Sequence, residues 1–242
     1  MAPAVLRHVD DNLWVAEQPL QLLVGNLEAR MTVVRLRTGG LFVHSPIAPD
    51  NALVAALENI GSVVVVVAPN KTHQFFARRF CDAFPKAEFW SAPGLATKRP
   101  DLGFANVIGT SGREPPWAGD LEHIHVRGIP VLEEVAFFHP RSRTLILTDL
   151  VFNIPADIHA DWRLRLFLRL NGARGRFGPT RLVRMLVRDS EALTASLRKI
   201  LEWDFDRVIM SHGEILDHGG RAALAQTFAL GSTNQTKPSG SH

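Results

Sequence analysis

Three residues that could bind a metal ion or transfer protons each follow a run of apolar residues. His73 comes shortly after the valine-rich run at 63–68, Asp149 follows "TLIL", and His212 follows "RVIM". His44, after "LFV", fits the same pattern. Imidazole and carboxylate groups are ligands for zinc, iron and manganese, and they also act as general acids and bases. The pattern therefore indicates a metal site or an acid/base pair.

A histidine or aspartate just beyond a strand can equally have a structural role, capping a helix or bonding a backbone carbonyl. Taken singly, each of these residues is more often structural than functional. In layered α/β folds, however, groups at the ends of neighbouring strands meet in one crevice, where ligands bind. The order histidine, aspartate, histidine-glycine after three buried strands therefore favours one shared site.

The elements that would position these residues alternate between strand and helix. Val63–Val67 predicts a central strand, because β-branched residues favour strands and the run is apolar on both faces. A hairpin is predicted around 38–40, where two glycines suit the turn, and a second within 133–150. Another buried strand is expected at Val208–Met210.

Helical spacing predicts a helix after Asp50 that stops at Gly61, and a second helix within 72–84 capped by Thr72. A mainly helical stretch is expected over 154–203, and a last helix from about Glu214 to Leu230.

Composition limits the classes of protein to consider. With 242 residues, 46% hydrophobic and 21% charged, the chain can bury a large core, and we predict one domain over 1–230 with a disordered tail at 231–242. A net charge of +3 is too small to predict a nucleic-acid partner. Cys81 is the only cysteine, and neither a signal-peptide core nor a run of 18 apolar residues is present, so a cytoplasmic location is expected.

The chain resembles the metallo-β-lactamase-like fold. The resemblance rests on "LFVHSP", "VVVVVAPNKTH", "EEVAFFHPRSRTLILTDL" and "VIMSHG", and it is greatest for a divergent branch catalogued as domain of unknown function 4336, in which "APNKTH", "LEEVAFFH", "LTDL" and "SHG" occur in this order. It implies an α/β fold, a four-layered αβ/βα sandwich, here with an inserted pair of basic helices at about 154–203.

The resemblance also implies a site. Active members hold one or two zinc, iron or manganese ions with a His-x-His-x-Asp-His turn, a later histidine, a bridging acid and a final histidine. His73 matches the last histidine of the turn, Asp149 the bridging acid and His212 the final histidine. The remaining ligand positions are occupied by residues of other types, namely Ala68, Asn70, Thr72 and Pro130.

This partial match predicts at most one ion, zinc, iron or manganese, or no metal at all. The predicted ligands are His73, Asp149 and His212, with Glu133 or its neighbour Glu134 and His44 as additional candidates. The function implied is a hydrolase acting on a small-molecule substrate, in which Asp149 and His212 are catalytic, as an acid/base pair if no metal is bound. The alternative is a non-catalytic protein that binds a small anion, a membrane surface or a protein partner. An iron-dependent redox role is a weaker third hypothesis.

The turn "PNKTH" supports a further hypothesis. Asn70, Lys71 and the backbone N–H groups at the start of the next helix could hold an anion without a metal, and Lys71 is a candidate catalytic residue. The commoner alternative is that Lys71 is a solvated loop lysine.

Residues 161–189 contain eight arginines, and their only acids are the flanking Asp161 and Asp189. Apolar residues recur there near helical spacing, which predicts two amphipathic helices around 171–173. We favour a lid over the site or ordinary surface packing, and regard contact with a membrane as the less favoured alternative.

Overall fold

The structure, a computed structural model, describes residues 4–104, 106–110 and 112–230. The predicted tail at 231–242 lies outside the described residues.

Seven strands form the first sheet in chain order. They are β1 (Arg7–Asp10), β2 (Leu13–Leu22), β3 (Gly25–Arg35), β4 (Leu41–His44), β5 (Val63–Ala68), β6 (Glu88–Ser91) and β7 (Asn106–Val107). Strands β1 to β4 pair antiparallel, and β4 to β7 pair parallel. The prediction that the valine run is a central strand is confirmed, because β5 has a partner on each side.

The remaining strands follow in the second half of the chain. They are β8 (Glu122–His125), β9 (Val135–His139), β10 (Thr144–Ile146), β11 (Phe152–Ile154), β12 (Arg176–Gly178) and β13 (Arg207–Ile209). A four-stranded sheet has the order β13-β10-β9-β8, while β11 and β12 pair antiparallel as a separate ribbon. The hairpin predicted within 133–150 corresponds to β9 and β10.

Helices pack on the outer face of each large sheet. The helices are α1 (Asn51–Ile60), α2 (Ala77–Ala83), α3 (Leu95–Lys98), α4 (Trp162–Leu170), α5 (Arg181–Met185), α6 (Ser190–Ile200) and α7 (Gly220–Thr227). One apolar core joins α1 and α2 to the first sheet, and another joins α6 and α7 to the second. A third core fills the space between the sheets, so the predicted αβ/βα sandwich is confirmed.

Strand β5 shows how the sequence builds these layers. Val65 and Val67 point into the core between the sheets, whereas Val66 and Ala68 point into the core beneath the helices. Successive side chains of a strand alternate between its faces, so a strand covered on both sides must be apolar throughout.

Three predicted boundaries were wrong. Helix α2 begins at Ala77 rather than at Thr72, because the Asn70 side chain accepts the backbone N–H groups of Thr72 and His73 and holds them in a turn. Helix α7 begins at Gly220, since residues 214–216 are bonded to β13 and to Asn153. The stretch 154–203 is less helical than predicted, because it contributes β12 and its second basic helix, α5, has five residues.

Among the described residues, none of the helices combines the length and apolar character needed to cross a bilayer.

Candidate metal centre

Asn70 shapes the turn that carries His73. Its side-chain oxygen accepts hydrogen bonds from the backbone N–H groups of Thr72 and His73, both at 2.7 Å. An asparagine that bonds its own following backbone in this way favours a turn over a helix. Asn70 thereby fixes the backbone at His73, and its side chain is fully buried.

Glu134 holds the segment that carries Asp149. Its carboxylate accepts hydrogen bonds from three successive backbone N–H groups, those of Thr148 at 2.7 Å, Asp149 at 2.8 Å and Leu150 at 3.0 Å. The chain leaves β10 here, so these N–H groups have no strand partner and would otherwise be buried without one. The Glu134 carboxylate thus supplies the hydrogen-bond acceptors that a neighbouring strand would otherwise provide, and so positions the backbone at Asp149.

Strand β3 holds the loop that carries His212. Arg30 donates hydrogen bonds to the carbonyl oxygens of Met210 at 2.6 Å and Gly213 at 2.5 Å, on either side of the histidine. The His212 Nδ1–H group donates to the Glu28 carbonyl at 2.5 Å. At φ +88° Gly213 lies in the left-handed region, and a Cβ there would collide with the Asn153 carbonyl, so glycine is required.

These three segments bring His73, Asp149 and His212 together. Asp149 Oδ1 lies 3.2 Å from His73 Nε2 and 3.5 Å from His212 Nε2, and the three atoms all lie within 4.8 Å of one another. Ligand atoms that surround one ion tetrahedrally at protein bond lengths are separated by about 3.4 Å. The spacing of the cluster therefore fits a metal ion.

The outer atoms of the three side chains are already bonded elsewhere. His73 Nδ1 bonds the Ser45 hydroxyl at 2.7 Å, and Asp149 Oδ2 accepts from Asn70 Nδ2 at 2.9 Å and from the Thr72 hydroxyl at 2.5 Å. Such outer partners orient metal ligands and raise their basicity. With His212 Nδ1 bonded to a carbonyl, each side chain keeps one inward-facing atom for an ion.

The electrostatics of the cluster favour a cation. Burial opposes charge on Asp149, but the positive His73 and its hydrogen bond hold the pKa of Asp149 well below its usual range. Burial likewise opposes charge on His73, yet the Asp149 carboxylate raises the pKa of His73. Burial, and then the Asp149 charge, raise the pKa of Glu134. A divalent ion would take the place of the His73 proton beside this carboxylate.

The family described as "Domain of unknown function (DUF4336)" matches residues 10–177, more than half of the chain. The chain belongs to this family. No curated protein matched its sequence.

The solved structures most similar to this DUF4336 protein include metallo-β-lactamases. A metallo-beta-lactamase from Pontibacter korlensis is 13% identical, with a TM-score of 0.63 over 94% of this chain and 98% of that chain. One from Erythrobacter litoralis, with beta mercaptoethanol in its active site, is 13% identical with a TM-score of 0.65, covering 95% and 96%. FIM-1 from Pseudomonas aeruginosa, in a mono-zinc form, is 10% identical with a TM-score of 0.63, covering 95% and 96%. At these identities the likeness shows a shared fold.

The three additional candidate ligands lie outside the cluster of this DUF4336 protein. His44 is buried at the end of β4, where burial and then nearby His73 lower its pKa to about 3, so it is neutral. Its Nε2 atom has no hydrogen-bond partner among the described residues. Glu133 bonds the His125 ring at 2.6 Å, whereas Glu134 lies behind Asp149 as described above.

The predicted anion site at Asn70 and Lys71 is not supported. Both Asn70 amide hydrogens are used, one toward Thr148 and one toward Asp149. Lys71 Nζ donates to the Pro130 carbonyl at 2.9 Å, and α2 begins too late to present its N-terminus there. The commoner alternative, that Lys71 is a solvated loop lysine, fits these contacts better.

Sequence reasoning missed Ser45, Glu28 and Arg30, which support the two histidines. One signal was available for Arg30, since a single arginine interrupts the apolar stretch "ARMTVV" of β3. A buried charge in a strand requires partners. No local signal identifies Ser45 or the Glu28 carbonyl, because their partners are distant in the chain.

Proposed function

We propose that this DUF4336 protein is a metal-dependent hydrolase with one ion held by His73, Asp149 and His212. The observation that carries the proposal is the spacing of the three inward-facing atoms, with Asp149 Oδ1 at 3.2 Å and 3.5 Å from the two histidine Nε2 atoms. Three protein ligands leave an open position on a four-coordinate ion, as catalytic sites require.

Each side chain of this set has a defined task. The Glu28 carbonyl fixes the tautomer of His212, so that its Nε2 lone pair faces the site. Asp149 remains ionised and supplies the negative charge. When bound, a divalent ion supplies Lewis-acid polarisation of a carbonyl and lowers the pKa of a water molecule. Two imidazoles and one carboxylate suit zinc, iron or manganese.

A single ion is favoured because two positions that bind metal in the resembled fold hold Ala68 and Pro130, whose side chains have no ligand atom. At a third position, the Asn70 amide is used up in the turn and the Asp149 contact. FIM-1, which has a similar fold, has a crystal structure in a mono-zinc form. That structure is a precedent for one ion in this architecture.

Elemental analysis of tag-free protein purified without chelators tests the proposal. We expect close to one equivalent of metal per chain, and a loss of at least tenfold in His212→Ala. His159→Ala, in an exposed loop outside the cluster, is the control and should keep its metal. Metal far below one equivalent in the wild type, or an equal content in both variants, would contradict the metal site.

A second test addresses hydrolysis. Metal-free protein should be inactive on simple esters and thioesters, and added zinc, iron(II) or manganese should restore a rate that His212→Ala lacks. Full metal loading without any restored rate would favour the alternative of a ligand-binding protein without catalysis. That alternative is supported by the apolar cavity beside the cluster.

A further inference from the structure

A cavity of about 380 Å³ opens onto the cluster and is walled almost entirely by hydrocarbon. His73, Asp149 and His212 form its polar end. Most of the other lining residues are aliphatic or aromatic and come from several parts of the chain, including Leu27, Phe75, Val131, Phe152, Leu168 and Leu182. Among the described lining residues, only the three members of the cluster are acids or bases.

The arginines of the inserted helices do not reach this cavity. Leu168 and Leu182 face it from α4 and α5, whereas Arg169 and Arg181, their immediate neighbours, are exposed. Moving a charged or strongly polar group into such a space costs several kcal/mol without a partner, while each buried methylene is favourable. The walls therefore select an apolar group and exclude a phosphate or a sugar.

The mouth of the cavity carries large apolar side chains that remain in contact with water. Phe75 is 65% exposed, Val131 48% and Leu182 47%, and all three line the cavity. Exposed apolar side chains grouped at one opening are characteristic of a binding surface. They would contact the part of a ligand that extends beyond the interior.

We propose that the cavity binds the hydrocarbon chain of an acyl ester or thioester, with the acyl carbonyl at the cluster; this rests on the proposed hydrolase function. Water adds its oxygen to the acyl carbon, the C–O or C–S bond breaks, and the departing alcohol or thiol takes a proton. The products are a carboxylic acid and that alcohol or thiol. The volume lies at the lower end of ligand pockets, which suits one chain or a small ring system.

Binding can be tested without any chemistry, using 1-alkanols from butanol to dodecanol and metal-free protein. Affinity measured by calorimetry should rise about fourfold for each added methylene until the cavity is filled, and then level off. A neutral alcohol makes the result independent of metal coordination. An affinity that does not depend on chain length would overturn the proposal.

A pair of variants on one helix locates the binding site. Leu182→Ser should weaken binding of the longest alkanols about fivefold, because Leu182 lines the mouth. Met185→Ser is the matched control, since Met185 lies on the same helix, is 74% exposed and does not line the cavity. Both positions are exposed, so folding should be retained. Equal effects of the two substitutions would place the alkanols elsewhere and refute the assignment.

Two further measurements distinguish a failure of this inference from a failure of the proposed function. Metal-free and metal-loaded wild type should show the same dependence of alkanol affinity on chain length, so a failed metal site leaves the alkanol result intact. With metal-loaded protein, kcat/KM for p-nitrophenyl esters should rise from acetate to octanoate, and Leu182→Ser should flatten the rise. Metal-dependent hydrolysis that does not depend on chain length would retain the hydrolase and reject the acyl-chain assignment.

Discussion

Two sides of one cavity are built by different kinds of interaction. On the polar side, His73, Asp149 and His212 are each fixed by a hydrogen bond to another part of the chain. On the other side, α4 packs through Leu164 and Leu168 on a small apolar cluster with β3.

The two sides should differ in how much stability is lost when a residue is substituted. A buried hydrogen-bond network leaves unpaired groups when one member is removed, and each unpaired group costs about 1 to 3 kcal/mol. A partly exposed apolar wall has no such groups, so truncation there costs little and alters mainly what the cavity can bind. We expect the polar side to determine stability and metal binding, and the apolar side to determine substrate preference.

The largest effect is expected for Glu134→Ala. The substitution leaves three buried backbone N–H groups without an acceptor, so the free energy of unfolding should fall by about 4 kcal/mol in urea denaturation. Glu133→Ala, one residue away, removes only the contact with His125 and should cost less than about 1 kcal/mol. Similar losses in both variants would mean that the polar side is not held by Glu134.

Arg30→Met should have the next largest effect, about 3 kcal/mol, because it leaves the carbonyls of Met210 and Gly213 without their donor. Metal affinity should fall with it, since those carbonyls flank His212. Arg7→Met is the matched control, because Arg7 bonds the same Glu17 carboxylate from an exposed position. Metal affinity can be measured by calorimetric titration of Arg30→Met protein that still folds. An unchanged affinity would contradict this account.

The sequence allowed prediction of the three inward-facing residues because strand ends share an edge. His73, Asp149 and His212 each follow a buried run, and the order of the motifs assigned the αβ/βα fold. What could not be predicted was the support around them. Arg30 bonds a loop some 180 residues later, and no local pattern records such a pairing.

Local backbone and side-chain interactions explain the other wrong predictions. The segment after β5 has helical spacing from Thr72, yet the Asn70 side chain captures the backbone N–H groups of the next residues and delays α2 to Ala77. The same capture removes Asn70 from the predicted anion site. Which of the two adjacent glutamates, Glu133 or Glu134, faces inward depends on the backbone at Glu133. Its φ of +50° is not indicated by the sequence pattern.

His44 provides a pH-dependent test of the polar side. Its folded pKa of about 3 lies below the unfolded value of 6.5, so between these values only the unfolded chain takes up the proton. Stability should therefore fall as the pH is lowered from 6.5 toward 4, by up to about 1.4 kcal/mol per pH unit from this residue. His44→Leu should reduce that slope in urea denaturation, whereas His159→Leu, at an exposed position, should not. Parallel slopes in the wild type and His44→Leu would refute the burial of a neutral His44.

The smallest effect is expected on the apolar side, for Asp161→Ala. The Asp161 carboxylate caps α4 by accepting hydrogen bonds from the backbone N–H groups of Arg163 and Leu164, both at 2.9 Å. Loss of an N-cap of this type costs about 1 kcal/mol. Because α4 is anchored by few apolar residues, the loss should appear as local opening, with faster hydrogen exchange of the amides at 162–170.

The same variant tests whether the two sides of the cavity respond independently to substitution. If they are independent, Asp161→Ala should weaken alkanol binding severalfold and leave metal affinity and exchange near His212 unaltered. Asp157→Ala, an exposed acid in the preceding loop, should change neither quantity. Loss of metal affinity in Asp161→Ala would show instead that the helix and the cluster form one cooperative unit, because opening α4 would then disturb β3, which carries both the wall residue Leu27 and the Glu28 carbonyl that orients His212.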